Sequence, residues 1–222
     1  MTLFFWLLAA GHLAIFVWGV RRLRSTWTSY ALSIAAVTAA LAFDNFVLGL
    51  GGFLQEGPLL EFLNGGRFWT HALLTPTMMV AALGILRLTG VGFAQTRSAF
   101  VVGGTFSGLL ILLGAWQDIV NLDLEPVVEY GITRYVNTYE LIPGPPIPAI
   151  LTIVVVIIAG AILWRRSSFP WLALGGIVMF GTAAAGGLLV GNTGEVVFTA
   201  SLMTAMVFAT AQAESPSVFG SR

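Results

Sequence analysis

The sequence contains no cysteine, which excludes disulfide bonds, thiolate metal ligands and cysteine nucleophiles. It also contains no lysine, so all ten basic residues are arginines. The two histidines, His12 and His71, are too few for a zinc site with three histidine ligands in one chain. We therefore predict neither a metal centre nor a resident cofactor.

Charged residues are scarce as well. They make up 9% of the 222 residues, whereas soluble domains carry roughly a quarter. Hydrophobic residues account for 57%, and the mean hydropathy is +0.91. The formal net charge is zero and no arginine block with interleaved aromatics occurs, so nucleic acid is not predicted as a partner. The composition favours an integral, multi-pass protein of the cell membrane, and we expect a prokaryotic plasma membrane.

Seven apolar runs are long enough to cross a hydrocarbon core of about 30 Å as helices. The runs are 3–20, 27–50, 67–89, 98–117, 147–164, 169–190 and 195–213. We therefore predict an all-α membrane protein, with residues 1–222 forming one domain, a bundle of seven transmembrane helices. Eight of the ten arginines fall on alternate connections, so the positive-inside rule predicts an external N-terminus and a cytoplasmic C-terminus.

The longest connection, 118–146, is external in this topology. It contains a run of partly alternating apolar and polar residues that could form a β-hairpin. A loop of this length is uncommon in a compact bundle unless it has a function. Both a lid over the external mouth and an inert cap are consistent with the sequence.

Two joints of the chain are alike and suggest an internal repeat. Trp18 to Trp27 and Trp164 to Trp171 both enclose arginines between tryptophans. If helices one to three and five to seven are parallel repeats, helix four is the linker of a 3+1+3 arrangement. The alternative is that any short cytoplasmic turn attracts arginine and tryptophan.

Glycines with GxxxG spacing occur in the fourth and sixth predicted helices, at Gly104 and Gly108 and at Gly187 and Gly191. Small residues at this spacing let helix backbones approach closely in lipid. We expect these glycines to pack inside the bundle. Contact with another subunit, including a second copy of this chain, is the alternative.

Ionisable and polar side chains inside a membrane are costly and need partners or water. Those of this chain concentrate in the external half of the predicted bundle. Arg67, His71 and Thr75 recur at every fourth residue, which places them on one helix face. We predict one outward-facing cavity for a small ligand or ion, built from Asp44, Asn45, Arg67, His71, Thr75, Gln117 and Glu195. A buried Asp44–Arg67 ion pair that only fixes the helix register is the alternative.

The segment Arg67-Phe-Trp-Thr-His-Ala-Leu-Leu-Thr-Pro76 resembles the third helix of the microbial rhodopsins in its arginine, the following aromatic residue and its Thr-Pro pair. The resemblance implies a seven-helix architecture in which Arg67 faces a water-bearing cavity. Three positions depart from the family: Thr70 replaces the counter-ion carboxylate, His71 a tryptophan and Ala81 the proton donor. Because the chain lacks the lysine that forms the retinal Schiff base, covalent retinal is excluded.

Three functions therefore stay open. The first is binding or transport of a small molecule or ion in the external cavity. The second is an intramembrane enzyme acting on a lipid or isoprenoid, with His71 and an acidic residue as acid and base. The third is a non-catalytic subunit or scaffold of a membrane complex. The sequence assigns no catalytic residue.

Overall fold

The computed structural model describes residues 1–141 and 146–215 and is 78% helical. The described part contains eight α-helices and one two-stranded sheet. The helices are α1 (Thr2–Leu23), α2 (Ser29–Leu50), α3 (Pro58–Leu74), α4 (Thr77–Leu88), α5 (Arg97–Ala115), α6 (Ile147–Ser167), α7 (Trp171–Ala185) and α8 (Leu188–Glu214). The strands are β1 (Leu124–Glu129) and β2 (Ile132–Asn137).

Five helical segments are individually long and apolar enough to cross a membrane: α1, α2, α5 extended to Val120, α6 and α8. Helices α3 and α4 together would form a sixth span, bent by 41°. Helix α7 has 15 residues, or about 22 Å, which is shorter than a typical hydrocarbon core. The helices support a multi-pass membrane protein, but they meet the prediction of seven spans only in part.

Local sequence explains where several helices begin. The Thr28 and Thr96 hydroxyls accept hydrogen bonds from the N–H groups of Ala31 and Ala99, which caps α2 and α5. Helix α3 begins with Pro58, a residue favoured in the first turn because no intrahelical donor is lost there. The predicted start at residue 67 is therefore wrong.

The third apolar run is interrupted at Pro76. Proline has no N–H to donate to the Ala72 carbonyl, and its ring disfavours a continuous helix. The Pro76 carbonyl accepts a hydrogen bond from the Ser107 hydroxyl of α5 at 2.9 Å. One predicted helix thus becomes the bent pair α3 and α4.

The reversal between α7 and α8 lies at Gly186 and Gly187, whose φ angles are 70° and 87°. Glycine adopts positive φ without steric cost, so this pair permits a tight turn. The predicted break between the apolar runs 169–190 and 195–213 is wrong, because residues 191–194 lie inside α8. The sixth and seventh predicted helices accordingly meet at 186–187.

The predicted hairpin is present in the long connection, where β1 and β2 pair antiparallel. Tyr130 and Gly131 form its two-residue turn, with φ angles of 52° and 75°. Two positive φ angles match the twist of the paired strands. Ile132, next to the turn, is 1% exposed and joins a small apolar cluster with Phe5 of α1 and Leu48 of α2.

Hydrogen bonds also attach the hairpin to the connection between α2 and α3. The Thr133 N–H donates to the Gly51 carbonyl at 2.8 Å. The Gly57 N–H donates to the Tyr135 hydroxyl at 3.0 Å, and Tyr135 is 3% exposed. The hairpin is therefore docked on the bundle. Its suggested role as a lid stays a prediction.

We call the end of the bundle that carries β1 and β2 the hairpin end, and the opposite end, where α1, α4 and α6 finish in arginines, the arginine end. The largest apolar cluster extends from mid-bundle to the arginine end. Leu202, Met203 and Met206 of α8 are fully buried in it. This cluster holds α2, α4, α6 and α8 together.

Glycines allow close helix contact only at some positions. A Cβ at Gly160 of α6 would collide with the backbone of Ala173 in α7, and one at Gly175 of α7 with the Ser201 side chain of α8. The expected packing of the GxxxG glycines inside the bundle is wrong. No described atom lies within 4 Å of a Cβ built at Gly104, Gly108, Gly187 or Gly191.

Candidate functional site

An ion pair lies in the hairpin half of the bundle, between α2 and α3. The Arg67 Nε donates to the Asp44 Oδ1 at 2.8 Å. The two side chains are 11% and 3% exposed. Asp44 comes six residues before the end of α2, about 9 Å along its axis. A charge this deep needs a partner, and Arg67 supplies it.

His71, one turn further along α3, approaches the same carboxylate. Its Nε2 lies 3.4 Å from the Asp44 Oδ1. The His71 side chain is 37% exposed, so one face of the imidazole contacts the ion pair while another remains accessible. The spacing of Arg67 and His71 by four residues explains why both reach one acceptor on α2.

Asn64 connects the ion pair to the hairpin. The Arg67 Nη1 donates to the Asn64 Oδ1 at 2.7 Å, and the Tyr135 N–H of β2 donates to the same oxygen at 3.2 Å. Asn64 is 1% exposed. The position of Arg67 is therefore fixed from two sides, by a carboxylate on α2 and by an amide that also holds the hairpin.

A cavity of about 360 Å³ adjoins the ion pair. Its walls come from α2, α3, the end of α5, the chain after β2, the start of α6, and α8. The wall includes Glu140, which is exposed at the hairpin end. Small-molecule sites commonly begin at about 300 Å³. The cavity is large enough for a small ligand with its water.

Six of the seven predicted site residues line this cavity: Asp44, Arg67, His71, Thr75, Gln117 and Glu195. The seventh, Asn45, does not. Its amide donates to the Leu41 carbonyl at 2.9 Å, and its Oδ1 is buried without a partner among the described residues. Asn45 faces away because adjacent residues of a helix point about 100° apart.

The end of α5 departs from regular α geometry and forms a π-helical turn from Trp116 to Val120. Both Gln117 and Asp118 in this turn line the cavity. Asp118 Oδ1 accepts a hydrogen bond from the Asn137 amide at the end of β2 at 3.0 Å. The wider turn thus brings two successive polar side chains to the same wall.

Glu195 and Asn192 contribute the α8 wall. Asn192 and Glu195 are at positions i and i+3 of the helix and therefore lie on one face. Asn192 is 8% exposed, and its Oδ1 has no hydrogen-bond partner among the described residues. The Glu195 Oε2 is likewise buried without one, and no described cation lies within 4 Å of this carboxylate. The α8 wall therefore presents unused acceptors next to the cavity.

A second buried polar contact lies between α1 and α8 and does not line the cavity. The Thr199 Oγ1 is 3.2 Å from the His12 Nδ1, and both residues are completely buried. The Thr199 hydroxyl also lies 2.9 Å from the Glu195 carbonyl. Because neither residue is accessible, this hydroxyl and imidazole do not form a nucleophile–base pair open to a substrate.

The sequence prediction omitted Asn64, Asp118, Asn137, Glu140 and Asn192 from the site. Helical spacing could have found two of them, since Asn64 precedes Arg67 and Asn192 precedes Glu195 by three residues. The other three depend on the π-helical turn and on the docked hairpin. No local pattern indicates those contacts.

Comparison with known protein families gives no match to any family model. Comparison with curated proteins gives no match either. The chemistry of the site must therefore be argued from its residues. Within residues 1–141 and 146–215, no group of three or more His, Asp or Glu side chains is arranged to hold a metal ion. Acceptor oxygens, one guanidinium and one imidazole remain as its functional groups.

Proposed function

We propose that this protein binds a small polar molecule or ion in the cavity of its hairpin end and that binding serves transport across the membrane. The observation that carries the proposal is the cavity of about 360 Å³ beside the Asp44–Arg67 pair. Charged residues inside membrane bundles commonly mark ligand or ion pathways. Burying such charges costs free energy, so their presence is easier to explain if they interact with a ligand.

The proposal includes a topology. The hairpin end is external and the arginine end cytoplasmic, since seven of the nine arginines in the described part of the chain lie at the arginine end. Seven spans result if the bent pair α3–α4 and the short α7 each cross the membrane. A rhodopsin-like arrangement is supported by Arg67, which borders a polar cavity in the external half. The membrane proposed is a prokaryotic plasma membrane.

The competing explanation is an ion pair that only fixes the register of α2 and α3. A pair with only this role does not need a cavity beside it. Apolar side chains packed around the pair would bury it more completely. Here the pair borders a cavity, and His71 on the same wall is 37% exposed. The accessible imidazole and the unpartnered Glu195 support a ligand site over a register pin.

Cysteine labelling tests whether the cavity opens outward, because the chain supplies a cysteine-free background. Thr75→Cys introduces a thiol in the cavity wall. Thr38→Cys introduces one in α2, where the hydroxyl donates to the Ile34 carbonyl and the residue is fully buried. We expect an impermeant maleimide applied outside the cells to label Thr75→Cys and to leave Thr38→Cys unlabelled.

Equal labelling of both variants would indicate general loosening of the bundle. Labelling of Thr75→Cys only from the cytoplasmic side would refute an outward-facing cavity. Transport itself is measured as uptake or ion flux in proteoliposomes, with Asp44→Asn as the variant. If this substitution changes stability and leaves all measured flux unchanged, the register-pin explanation is correct.

A second candidate function is that of a subunit in a membrane complex. The observation in its favour is the glycine face of α5, where Gly104 and Gly108 have open space around their Cβ positions in the described chain. Such faces let a second helix approach closely. Mild solubilisation followed by mass measurement tests this candidate, which predicts a particle heavier than the single chain.

A further inference from the structure

The described walls of the cavity contain more acidic than basic groups. Four carboxyl groups line it, those of Asp44, Asp118, Glu140 and Glu195, against two basic groups, the Arg67 guanidinium and the His71 imidazole. Of the four, Asp44 is matched by Arg67 at 2.8 Å. The remaining three have no described arginine within 4 Å. A ligand in this cavity is therefore surrounded by more carboxyl groups than basic groups.

The geometry points to a small organic cation as the ligand of this cavity, with Glu195 as its principal counter-charge. This inference rests on the proposed function, because it names the ligand class of the same site. Among the unmatched carboxylates, Glu195 has an oxygen that is buried and has no hydrogen-bond partner in the described chain. A buried carboxylate without a partner is stabilised strongly by a cation placed beside it.

Asn192 provides an independent reason to expect a hydrogen-bond donor on the ligand. It is more than nine-tenths buried, lines the cavity, and leaves its Oδ1 without a partner, while its amide donates to the Leu188 carbonyl at 2.7 Å. Buried acceptors in folded proteins are rarely left unused. An ammonium or hydroxyl group on the ligand would satisfy both oxygens once the side chains of Asn192 and Glu195 turn toward the cavity, since each oxygen is buried.

Aromatic rings and a carbonyl group in the cavity wall agree with a cation. Phe68 and Tyr139 line the cavity, and aromatic rings attract ammonium groups through their negative faces. Ala72 also lines it, and its carbonyl has no helical donor because Pro76 lacks an N–H. Together these groups offer oxygen atoms and aromatic rings.

An anion would depend on Arg67 and His71. Arg67 donates through Nε to Asp44 and through Nη1 to Asn64, so two of its five N–H donors and its charge are already engaged by groups of the protein. His71 already lies against Asp44. An anion would also face the unmatched carboxylates. The charge distribution thus favours a cation over an anion of the same size.

The test uses ligands of nearly equal shape and different charge on the full chain in lipid nanodiscs. Choline is the cation, 3,3-dimethyl-1-butanol its neutral analogue, 3,3-dimethylbutanoate the anionic analogue and trimethylglycine the zwitterion. Ethanolamine adds a cation that donates hydrogen bonds. Binding is measured by calorimetry and by the shift in thermal unfolding at millimolar ligand. We expect the two cations to bind, and the neutral and anionic analogues to bind at least about tenfold more weakly.

Glu195→Gln is the decisive variant, since it removes the charge and keeps the shape. It should weaken cation binding about tenfold or more, as expected for loss of a charge-assisted contact. Glu56→Gln is the matched control, because Glu56 is an exposed carboxylate at the hairpin end that does not line the cavity. It should bind as the unaltered chain does. Asp118→Asn replaces Glu195→Gln if the latter fails to fold, and should also weaken binding.

Three results would overturn the inference. The first is tighter binding of the neutral, anionic or zwitterionic analogue, which leaves the ligand site standing and refutes its charge preference. The second is unchanged cation binding in Glu195→Gln. The third is no binding of either cation, in which case labelling of Thr75→Cys decides separately whether the outward-facing cavity exists.

Discussion

The two ends of the bundle are built from different side chains, and these side chains affect the stability of the fold in different ways. At the arginine end, α8 buries Leu202, Met203 and Met206 against apolar neighbours. At the hairpin end, the interior between the helices holds Asp44, Arg67 and further polar groups. The apolar cluster contributes stability through packing. The polar cluster costs free energy unless each group is paired.

The hairpin end is also the end where hydrogen-bonding groups remain unused. Buried oxygens of Asn192 and Glu195 lack partners among the described residues and belong to residues that line the cavity. Buried polar groups that the fold itself does not satisfy are candidates for interaction with a ligand. The arginine end therefore holds the bundle together through apolar packing, whereas the hairpin end is suited to binding a ligand.

The largest expected effect is at the ion pair. Arg67→Gln leaves the Asp44 charge buried without a cation and should reduce the free energy of unfolding by about 3–5 kcal/mol. Thermal or denaturant unfolding in detergent measures the change. Arg134→Gln is the matched control, since Arg134 pairs with Glu129 at 2.8 Å on the more exposed hairpin and should cost at most about 1 kcal/mol.

Adding Asp44→Asn to Arg67→Gln sharpens this test, because it removes the unpaired charge. The double variant should recover much of the lost stability. Equal losses in the single and double variants would show that the two charges are not coupled.

The next effect is in the apolar half. Leu202→Ala opens a cavity in the main cluster and should cost about 3 kcal/mol, while Thr75→Cys labelling should not change. Leu109→Ala is the control, because Leu109 is 57% exposed on α5. If Leu202→Ala alters Thr75→Cys labelling at the hairpin end as strongly as it alters stability, the two halves do not act separately.

A smaller effect is expected where the hairpin is attached. Tyr135→Phe removes the hydroxyl that accepts from the Gly57 N–H and should cost about 1 kcal/mol. Because this bond holds the hairpin near the cavity, the labelling rate of Thr75→Cys should rise. Tyr130→Phe, in the exposed turn, should leave both quantities unchanged. A constant labelling rate in Tyr135→Phe would indicate an inert cap.

The smallest effect is expected at the open glycines of α5. Gly104→Ala should leave the unfolding free energy unchanged or raise it by up to about 1 kcal/mol, since alanine is the better helix former and nothing described obstructs its Cβ. Gly160→Ala should be destabilising because its Cβ meets the backbone of Ala173. If Gly104→Ala instead lowers the mass of the purified particle, the α5 face is an interface.

Much of the site could be predicted because helical spacing is regular. Arg67 and His71 fall on one face of α3 whatever surrounds them, and a buried carboxylate on the neighbouring helix is the natural partner. The hairpin was also predictable, from alternation and turn chemistry. Asn45 was predicted wrongly, because its amide donates to the Leu41 carbonyl within α2 and the residue does not line the cavity.

Other features depend on contacts between distant segments. The division between α7 and α8 lies at Gly186 and Gly187, which have positive φ angles, whereas the apolar runs 169–190 and 195–213 placed it at residues 191–194. The glycines of α5 satisfy a packing motif, yet the open space around them is a property of the assembled chain. The GxxxG motif indicates that another helix can approach this surface closely, and only the tertiary structure shows whether one does.

The sequence by itself determined that this chain belongs in a membrane, because so few charges and such long apolar runs cannot be reconciled with water. It also determined which polar side chains share a helix face, because the helix has a fixed period. Only the tertiary structure decided that the π-helical turn at Asp118 and the α8 wall at Glu195 border the same space as Arg67. The reason is physical: a helix fixes the direction of its own side chains, whereas the packing of helices fixes which of them meet.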